Sequence, residues 1–457
     1  MKLFTLIALA FAGIISFAQT NYQYLRIPKK VLTEKFVNDS GFIEDHFHDD
    51  EYVVGYLPQS RKLVIPNSIR NSMVELDSKD WAHHAYDLKT LKMLPIDQSR
   101  ISEVYEPFHT YATLTTELKT LAEKYPDLVT LNSAGKTVRG REMWYMRITS
   151  KNSLTPSKPK LLYISSMHGD EVTGKEMMVY LIRDLLASYG INQRMTNLID
   201  HTELFLMPSM NPDGTEMSQR FNANGVDLNR DFPELNEDPY GGDRAIETKN
   251  IMELHRQHHF LVALNFHGGS LCVNIPWDSK KNNSTALFGD NNLMLSIARE
   301  YANANLPMKE VNFGNFKQGI TYGYEWYPVY GGMQDWASHF QQSTHATVEI
   351  SSAKWPNANS LASFWKDNKE SLLKYLENGA TGVHLKVTNE KGELLNTSVA
   401  LSSSSRSLNY SGFVHRPSTT EVQLVTVSSN GYKTKTFSLT PTQFIGGYES
   451  VVLESSK

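Results

Sequence analysis

The stretch PKLLYISSMHGDEVTGKEMM, Pro159 to Met178, decides the fold. Its apolar run reads as a buried strand that ends at His168, and Gly169 permits a tight turn there. Beyond the turn, Met177, Met178, Leu181, Ile182 and Leu185 recur at helical spacing and give a helix its buried face. Strand, turn and helix in that order place His168 and Glu171 at the C-terminal edge of a sheet, where open α/β folds bind ligands. The spacing of the pair proves little alone, because a chain with 15 histidines contains His-x-x-Glu by chance. HDDE, His48 to Glu51, has the same spacing, but no buried strand precedes it and no distant third ligand accompanies it. That stretch, within the acidic EDHFHDDE, reads as a solvated turn.

Working outward, FLVALNFHGGS is a second apolar segment that reaches the same kind of edge at His267. Two histidines and one carboxylate form the three-ligand zinc set that leaves a fourth position open. A third strand ends in MPSMNPDG and is followed by QRFNANGVDLNRDFP, which puts Arg220, Asn229 and Arg230 in a loop dense in Asn, Asp and Gly. Fixed guanidinium groups suit a carboxylate or an oxyanion. In HATVEISSAKWP, Glu349 lies between Val348 and Ile350 on a strand, a setting that calls for a charged or catalytic reason.

Strand-like and helical segments alternate from about residue 105 to about 377, beginning with a helix in TYATLTTELKTLAEKYPDLVTL and a hairpin around Arg139 and Gly140. The alternation argues for a mixed, mainly parallel sheet flanked by helices, a catalytic domain over 105–378. After ENGATG, the segments SVALSS, VQLVTV and SVVLES read as a small all-β sandwich over 379–457. Residues 19–104 read as a small α/β segment, with strands in YLRI, YVVGYL and KLVIP and helical patches in PKKVLTEKFV and SIRNSMVEL.

Composition narrows the function. A chain of 457 residues with 40% apolar residues is long enough for two or three domains, and a formal charge of −4 without a basic run excludes the electrostatic footprint of a nucleic-acid binder. Lys2, the apolar run Leu3 to Phe17 and small residues around Ala18 read as a signal peptide over 1–18, so the protein is expected to be secreted or periplasmic. The run is shorter than the roughly 20 residues of a spanning helix, so no stable membrane anchor is expected. A single cysteine, Cys272, leaves no internal disulfide. No Gly-x-Ser-x-Gly elbow precedes a helix, which removes the serine-hydrolase reading.

HGDE, NPDG, DLNR, HGGS, GGMQDW and the Glu349 strand, taken in this order, resemble the zinc metallocarboxypeptidases, in particular the regulatory carboxypeptidase N/E branch, over residues 105–455. The resemblance implies one Zn²⁺ held by His168, Glu171 and His267, with Glu349 as general base toward the zinc-bound water. It implies that Arg220 stabilises the oxyanion and that Asn229 and Arg230 clamp the C-terminal carboxylate of a peptide or protein substrate. A mobile tyrosine, four residues before the Gly-Gly of WYPVYGGMQDW, corresponds to Tyr327, with Tyr330 the less favoured choice. Asp278 in NIPWDS and Gln334 match the branch's receptors for a basic side chain, which implies release of Lys or Arg; a turn cap is the alternative for Asp278. The resemblance also implies a transthyretin-like form for the last domain. Two other functions stay in view: a peptidase or amidase of diaminopimelate-containing cell-wall peptides, and a non-catalytic pseudo-peptidase. The second is disfavoured by the complete ligand set and base. Most regulatory members offer no counterpart to the segment over 19–104, which reads either as an inhibitory prodomain or as an accessory domain.

Overall fold

The computed structural model describes residues 21–48, 51–77, 86–87, 92–93, 108–279 and 288–456. The expected leader lies outside them. The first unit is an antiparallel sheet of β1 (Tyr22–Pro28), β2 (Ile43–His48), β3 (Tyr52–Pro58) and β4 (Val74–Glu75), in the order β2-β3-β1-β4. Leu25, Ile27, Val53 and Leu57 pack its buried face against Phe36 and Phe42. Helix Glu34–Ser40 begins at Thr33, whose hydroxyl accepts the Phe36 amide at 3.0 Å. KLVIP is not the expected strand: residues Gln59–Val64 form a 3-10 helix that starts after Pro58. Of SIRNSMVEL, only Ser68 to Arg70 is α-helical, within the short helix Asn67–Arg70, and Val74–Glu75 pairs with β1 instead. These short elements alternate too few residues for periodicity to separate strand from turn. The two-residue strands β5 (Tyr86–Asp87) and β6 (Lys92–Met93) pair with each other.

The central sheet comprises β7 (Val129–Lys136), β8 (Glu142–Ile148), β9 (Lys160–Ser165), β10 (Glu203–Met207), β11 (Val262–His267), β12 (Ser270–Ile275), β13 (Ile320–Tyr322) and β14 (Thr344–Ser351). Its order is β13-β12-β14-β11-β9-β10-β8-β7. The pairs β9/β10, β9/β11, β11/β14 and β12/β13 are parallel, and the other three neighbours are antiparallel. Alternation along each strand feeds two cores. Leu161, Tyr163, Leu204, Leu206, Leu264 and Val348 meet helices Thr173–Ser188, Asn291–Ala304 and Leu361–Gly379 on one face. Leu162, Ile164, Phe205, Met207 and Ala263 meet helices Ile246–His258 and Met333–Phe340 on the other. Both faces are thus covered, as a sheet with parallel crossovers requires.

The last helix runs directly into β15 (Thr381–Asn389). Strands β16 (Asn396–Leu401), β17 (Ser407–Ser411), β18 (Phe413–Pro417), β19 (Gln423–Ser428), β20 (Lys435–Leu439), β21 (Thr442–Gln443) and β22 (Glu449–Leu453) follow, and SVALSS, VQLVTV and SVVLES are strands as expected. They form two sheets around Val383, Leu385, Val399, Val425 and Val451. The sandwich is tied to the central domain by Asp290, which accepts Arg416 Nη2 at 2.7 Å and Arg406 Nη1 at 3.0 Å. No described helix is long and apolar enough to cross a membrane.

Candidate active site

Strand β9 ends at Ser165, three residues before His168. Ser166 takes a left-handed backbone (φ 49°) and its hydroxyl donates to the Glu171 carbonyl at 3.0 Å, so the chain turns sharply and carries His168 and Glu171 back over the sheet edge. Gly169 is required within this turn, because a Cβ there would lie 2.1 Å from the Gly214 carbonyl carbon. On the adjacent parallel strands β11 and β14, register sets His267 directly beside Glu349. Local turn and long-range pairing thereby bring together residues almost 200 positions apart in the chain.

His168 Nδ1 lies 3.0 Å from Glu171 Oε1 and 3.1 Å from His267 Nδ1, and His267 Nδ1 lies 2.8 Å from Glu171 Oε2. Among the described residues these three, all buried, are the only group whose donor atoms could hold a metal ion, converging within 4.8 Å. The histidine tautomers support the same reading. His168 Nε2 is 3.1 Å from Asp227 Oδ1, so the carboxylate accepts the Nε2–H hydrogen bond and the Nδ1 lone pair faces inward. Asn265 lies 2.9 Å from His267 Nε2 through its amide nitrogen, while its buried Oδ1 has no hydrogen-bond donor. A half-turn of the amide lets Oδ1 accept Nε2–H and frees His267 Nδ1 in the same way. Two imidazole nitrogens, one carboxylate and oriented outer nitrogens suit zinc.

Arg220 Nε donates to Asp227 Oδ2 at 2.8 Å, and its Nη1 comes within 3.7 Å of Glu171. Asp227 therefore orients both a metal ligand and the neighbouring guanidinium. It stands in DLNR, yet sequence reading singled out only Asn229 and Arg230 there; the signal was a buried acid two residues before the clamp. We expect Asp227→Asn to weaken zinc affinity by roughly 10- to 100-fold, measured by competition with a chromogenic chelator. Unchanged affinity would show that the backbone turn alone orients His168.

His168, His267, Arg220, Asn229, Arg230, Asp278, Tyr327 and Glu349 line one cavity of about 20 Å³. Tyr330, half-buried, is not among the residues that line it. The Asn229 side-chain oxygen accepts the Met333 amide at 3.1 Å, which fixes its orientation beside Arg230. Burial, and then the charge of Glu171, holds the Glu349 carboxyl well above the usual carboxylate range.

The far wall is acidic. Asp278 Oδ1 accepts Asn274 Nδ2 at 2.9 Å and Gln334 Nε2 at 3.0 Å. The Asp278 and Ser279 amides donate to Asp335, so Asp278 is held in the pocket and the turn is capped by a different residue. Gly323 keeps this wall open, because a Cβ there would lie 1.8 Å from Asp278 Oδ1. Burial, then Asp335, pushes the Asp278 carboxyl well up; burial also pushes Asp335 up to about 6.

The acidic stretch EDHFHDDE also supplies, ahead of its HDDE turn, a residue that the sequence did not single out. Asp45 within it is fully buried, and its carboxylate lies 2.8 Å from Lys354 Nζ and 3.6 Å from Arg220 Nη1. Lys354, in the quoted HATVEISSAKWP, was likewise not singled out; it is 1% exposed and 3.7 Å from Glu171.

A buried pair of histidines with one glutamate, next to a buried carboxyl and fixed guanidinium groups at a sheet edge, defines a metal-dependent hydrolase. The chain belongs to the zinc carboxypeptidase family, whose profile matches residues 114–371. It is a metallocarboxypeptidase with zinc as its cofactor. It is 36% identical over 308 residues to carboxypeptidase M of Mus musculus, covering 62% of this chain and 68% of that one. It is 33% identical over 349 residues to carboxypeptidase SOL1 of Arabidopsis thaliana, covering 73% and 70%. Against carboxypeptidase D of Drosophila melanogaster it is 34% identical over 313 residues, 60% of this chain but 22% of that much longer one. The fold is similar to that of carboxypeptidase A from Helicoverpa armigera, with a TM-score of 0.57 at 18% identity over 78% of this chain and 97% of the other.

Proposed function

We propose that the protein is an exported carboxypeptidase that releases single Lys or Arg residues from peptide C-termini. The carrying observation is the set of acceptors around Asp278. Asn274 and Gln334 both give their amide nitrogens to Asp278, so Asn274 Oδ1 and Gln334 Oε1 are left buried without a donor among the described residues. A carboxylate and two amide oxygens that lack donors suit an ammonium or guanidinium group, and disfavour an acidic side chain. Export rests on the apolar leader that ends at Ala18.

When bound at His168, Glu171 and His267, zinc supplies Lewis acidity that polarises the scissile carbonyl, acidifies the attacking water and favours the ionised form of Glu349. Arg230 and Asn229 bind the terminal carboxylate, which restricts cleavage to the last peptide bond. Tyr327 closes over the terminal residue and excludes water. Glu349 accepts the proton of the attacking water at a carboxylate oxygen and delivers it to the leaving nitrogen. Arg220 donates to the oxygen on which negative charge develops, held in place by Asp227.

The test is kcat/KM of the zinc-loaded protein on N-blocked peptides that differ only in the last residue, Arg, Phe or Glu. A strong preference for Arg is expected; equal rates on Arg and Phe would remove the basic specificity. The pH dependence follows from the same pocket. Because Asp278 and Asp335 hold protons above the usual carboxylate range, a cationic side chain must displace a proton at low pH. With Asp335 at about 6, kcat/KM for the Arg peptide should rise through pH 6 relative to that for the Phe peptide. A constant Arg-to-Phe ratio from pH 5 to 8 would contradict the assignment.

A further inference from the structure

We propose that the cleft between the central domain and the β sandwich binds an acidic oligosaccharide of uronate type, anchoring the enzyme to an anionic glycan while its active site stays open. The cleft measures about 1110 Å³, at the upper end of the roughly 300–1,000 Å³ typical of ligand pockets. Its central-domain wall lies where the parallel strands begin: Lys160 opens β9, Leu261 precedes β11 and Gln342 precedes β14. His168 follows the other end of β9, and His267 is the last residue of β11. Strands of six residues span roughly 20 Å, so a guest in the cleft leaves the metal site accessible. Tyr448 of the sandwich donates its hydroxyl to the Ser157 carbonyl at 2.5 Å and so bridges the two walls.

Charge gives the sign of the ligand. The chain as a whole is acidic, with 49 acidic residues against 45 Lys and Arg, yet no Asp or Glu is among the described residues that line the cleft. Lys158 Nζ rests on neutral acceptors, Thr149 Oγ1 at 2.8 Å and the Ser150 carbonyl at 3.0 Å. Glu203, the acid whose charge it feels most, is taken by Arg147 at 2.9 Å. Burial, then the charges of Lys160 and Arg147, holds the His258 imidazole below its ordinary range, which marks the same wall as electropositive. A half-enclosed surface of one sign concentrates counter-ions.

The neutral lining narrows the class of anion. Asn396, Ser398, Asn409 and Ser411 set a row of amides and hydroxyls on β16 and β17. The row is ordered in advance: the Ser398 and Ser407 hydroxyls lie 2.7 Å apart, and Ser411 Oγ donates to Asn396 Oδ1 at 2.9 Å, which leaves the Asn396 amide nitrogen as a donor. Across the cleft, helices Ile246–His258 and Met333–Phe340 both end, bringing backbone carbonyls that lack helical partners. Half-buried Phe340 and Phe413 add aromatic surface. Donors and acceptors so interleaved suit a ligand whose hydroxyls do both. Inorganic phosphate would use the lysines and leave the row idle. Acidic peptide side chains carry no donors for the helix-end carbonyls.

The test is calorimetric titration of the full-length, zinc-loaded protein with oligogalacturonate, beside a neutral oligoglucan and an oligoglutamate of equal length. Lys160→Gln removes one charge from the cleft, and Asn409→Asp sets a carboxylate on its exposed sandwich wall; thermal unfolding shows that both variants are folded. Oligogalacturonate should bind, more weakly with added salt, and each variant should weaken it by about tenfold or more, the scale of one charge-assisted hydrogen bond. Hydrolysis of an Arg-terminated peptide should be unchanged in both variants and with the sugar bound; a fall on sugar binding would overturn the separation of the two sites. No saturable binding to the parent, or binding that neither variant weakens, would overturn the proposal. Oligoglutamate bound as tightly would reassign the cleft to acidic peptides, and oligoglucan bound as tightly would remove the lysines from recognition; either result overturns the acidic-glycan assignment. Binding is read without turnover, so these outcomes leave the specificity reading above to its own test.

Discussion

Replacing Glu349 by Gln should lower kcat by about 10²- to 10⁴-fold, the range of general acid–base catalysis, with KM for an Arg-terminated peptide nearly unchanged. Glutamine keeps the volume and one acceptor oxygen but cannot take a proton at the pH of turnover. Its neighbour in the sheet is His267, so loss of activity must be separated from loss of metal. Zinc content by atomic absorption is expected to stay at one per chain in E349Q. The split between kcat and KM also matters, since a group used only in the transition state lowers kcat without weakening substrate binding. If E349Q lost zinc and activity together, Glu349 would be a support for the metal site, and another base would have to be sought in the cavity.

What the sequence revealed depended on whether a residue's role was local or created by packing. His168 and Glu171 were legible because strand, turn and helix surround them within twenty residues, and His267 and Glu349 because each ends or interrupts an apolar strand. Asp227 was hidden in plain view: its motif was recognised, but only contact with both His168 Nε2 and Arg220 Nε shows why an acid is needed there. Asp45 could not be read at all. In sequence it belongs to an acidic, polar stretch, and such stretches are ordinarily solvated; only an irregular edge strand docked on another domain buries it. The same contrast explains the first module's small errors, where Pro58 and Pro66 break short apolar runs into turns that periodicity reads as strand or helix.

Asp278 carries the other large effect. Asp278→Asn retains the shape of the wall and removes its charge, leaving a cationic substrate group facing amides in a buried site. Loss of a buried charge partner costs about 2–5 kcal/mol, or roughly 30- to 5000-fold, so kcat/KM for Arg- and Lys-terminated peptides should fall within that span. For a Phe-terminated peptide the same variant should be unchanged or improved, because an uncharged side chain no longer desolvates a carboxylate. The ratio of the two substrates is the informative quantity, since damage to the metal site or to Arg230 would lower both together. Gln334 and Asn274 both donate to Asp278 Oδ1, which the asparagine oxygen replaces, so thermal stability should change little. A parallel fall for Arg and Phe would mean that Asp278 shapes the pocket rather than selecting the charge. A reversal of preference toward Phe would place the choice of substrate in this one carboxylate.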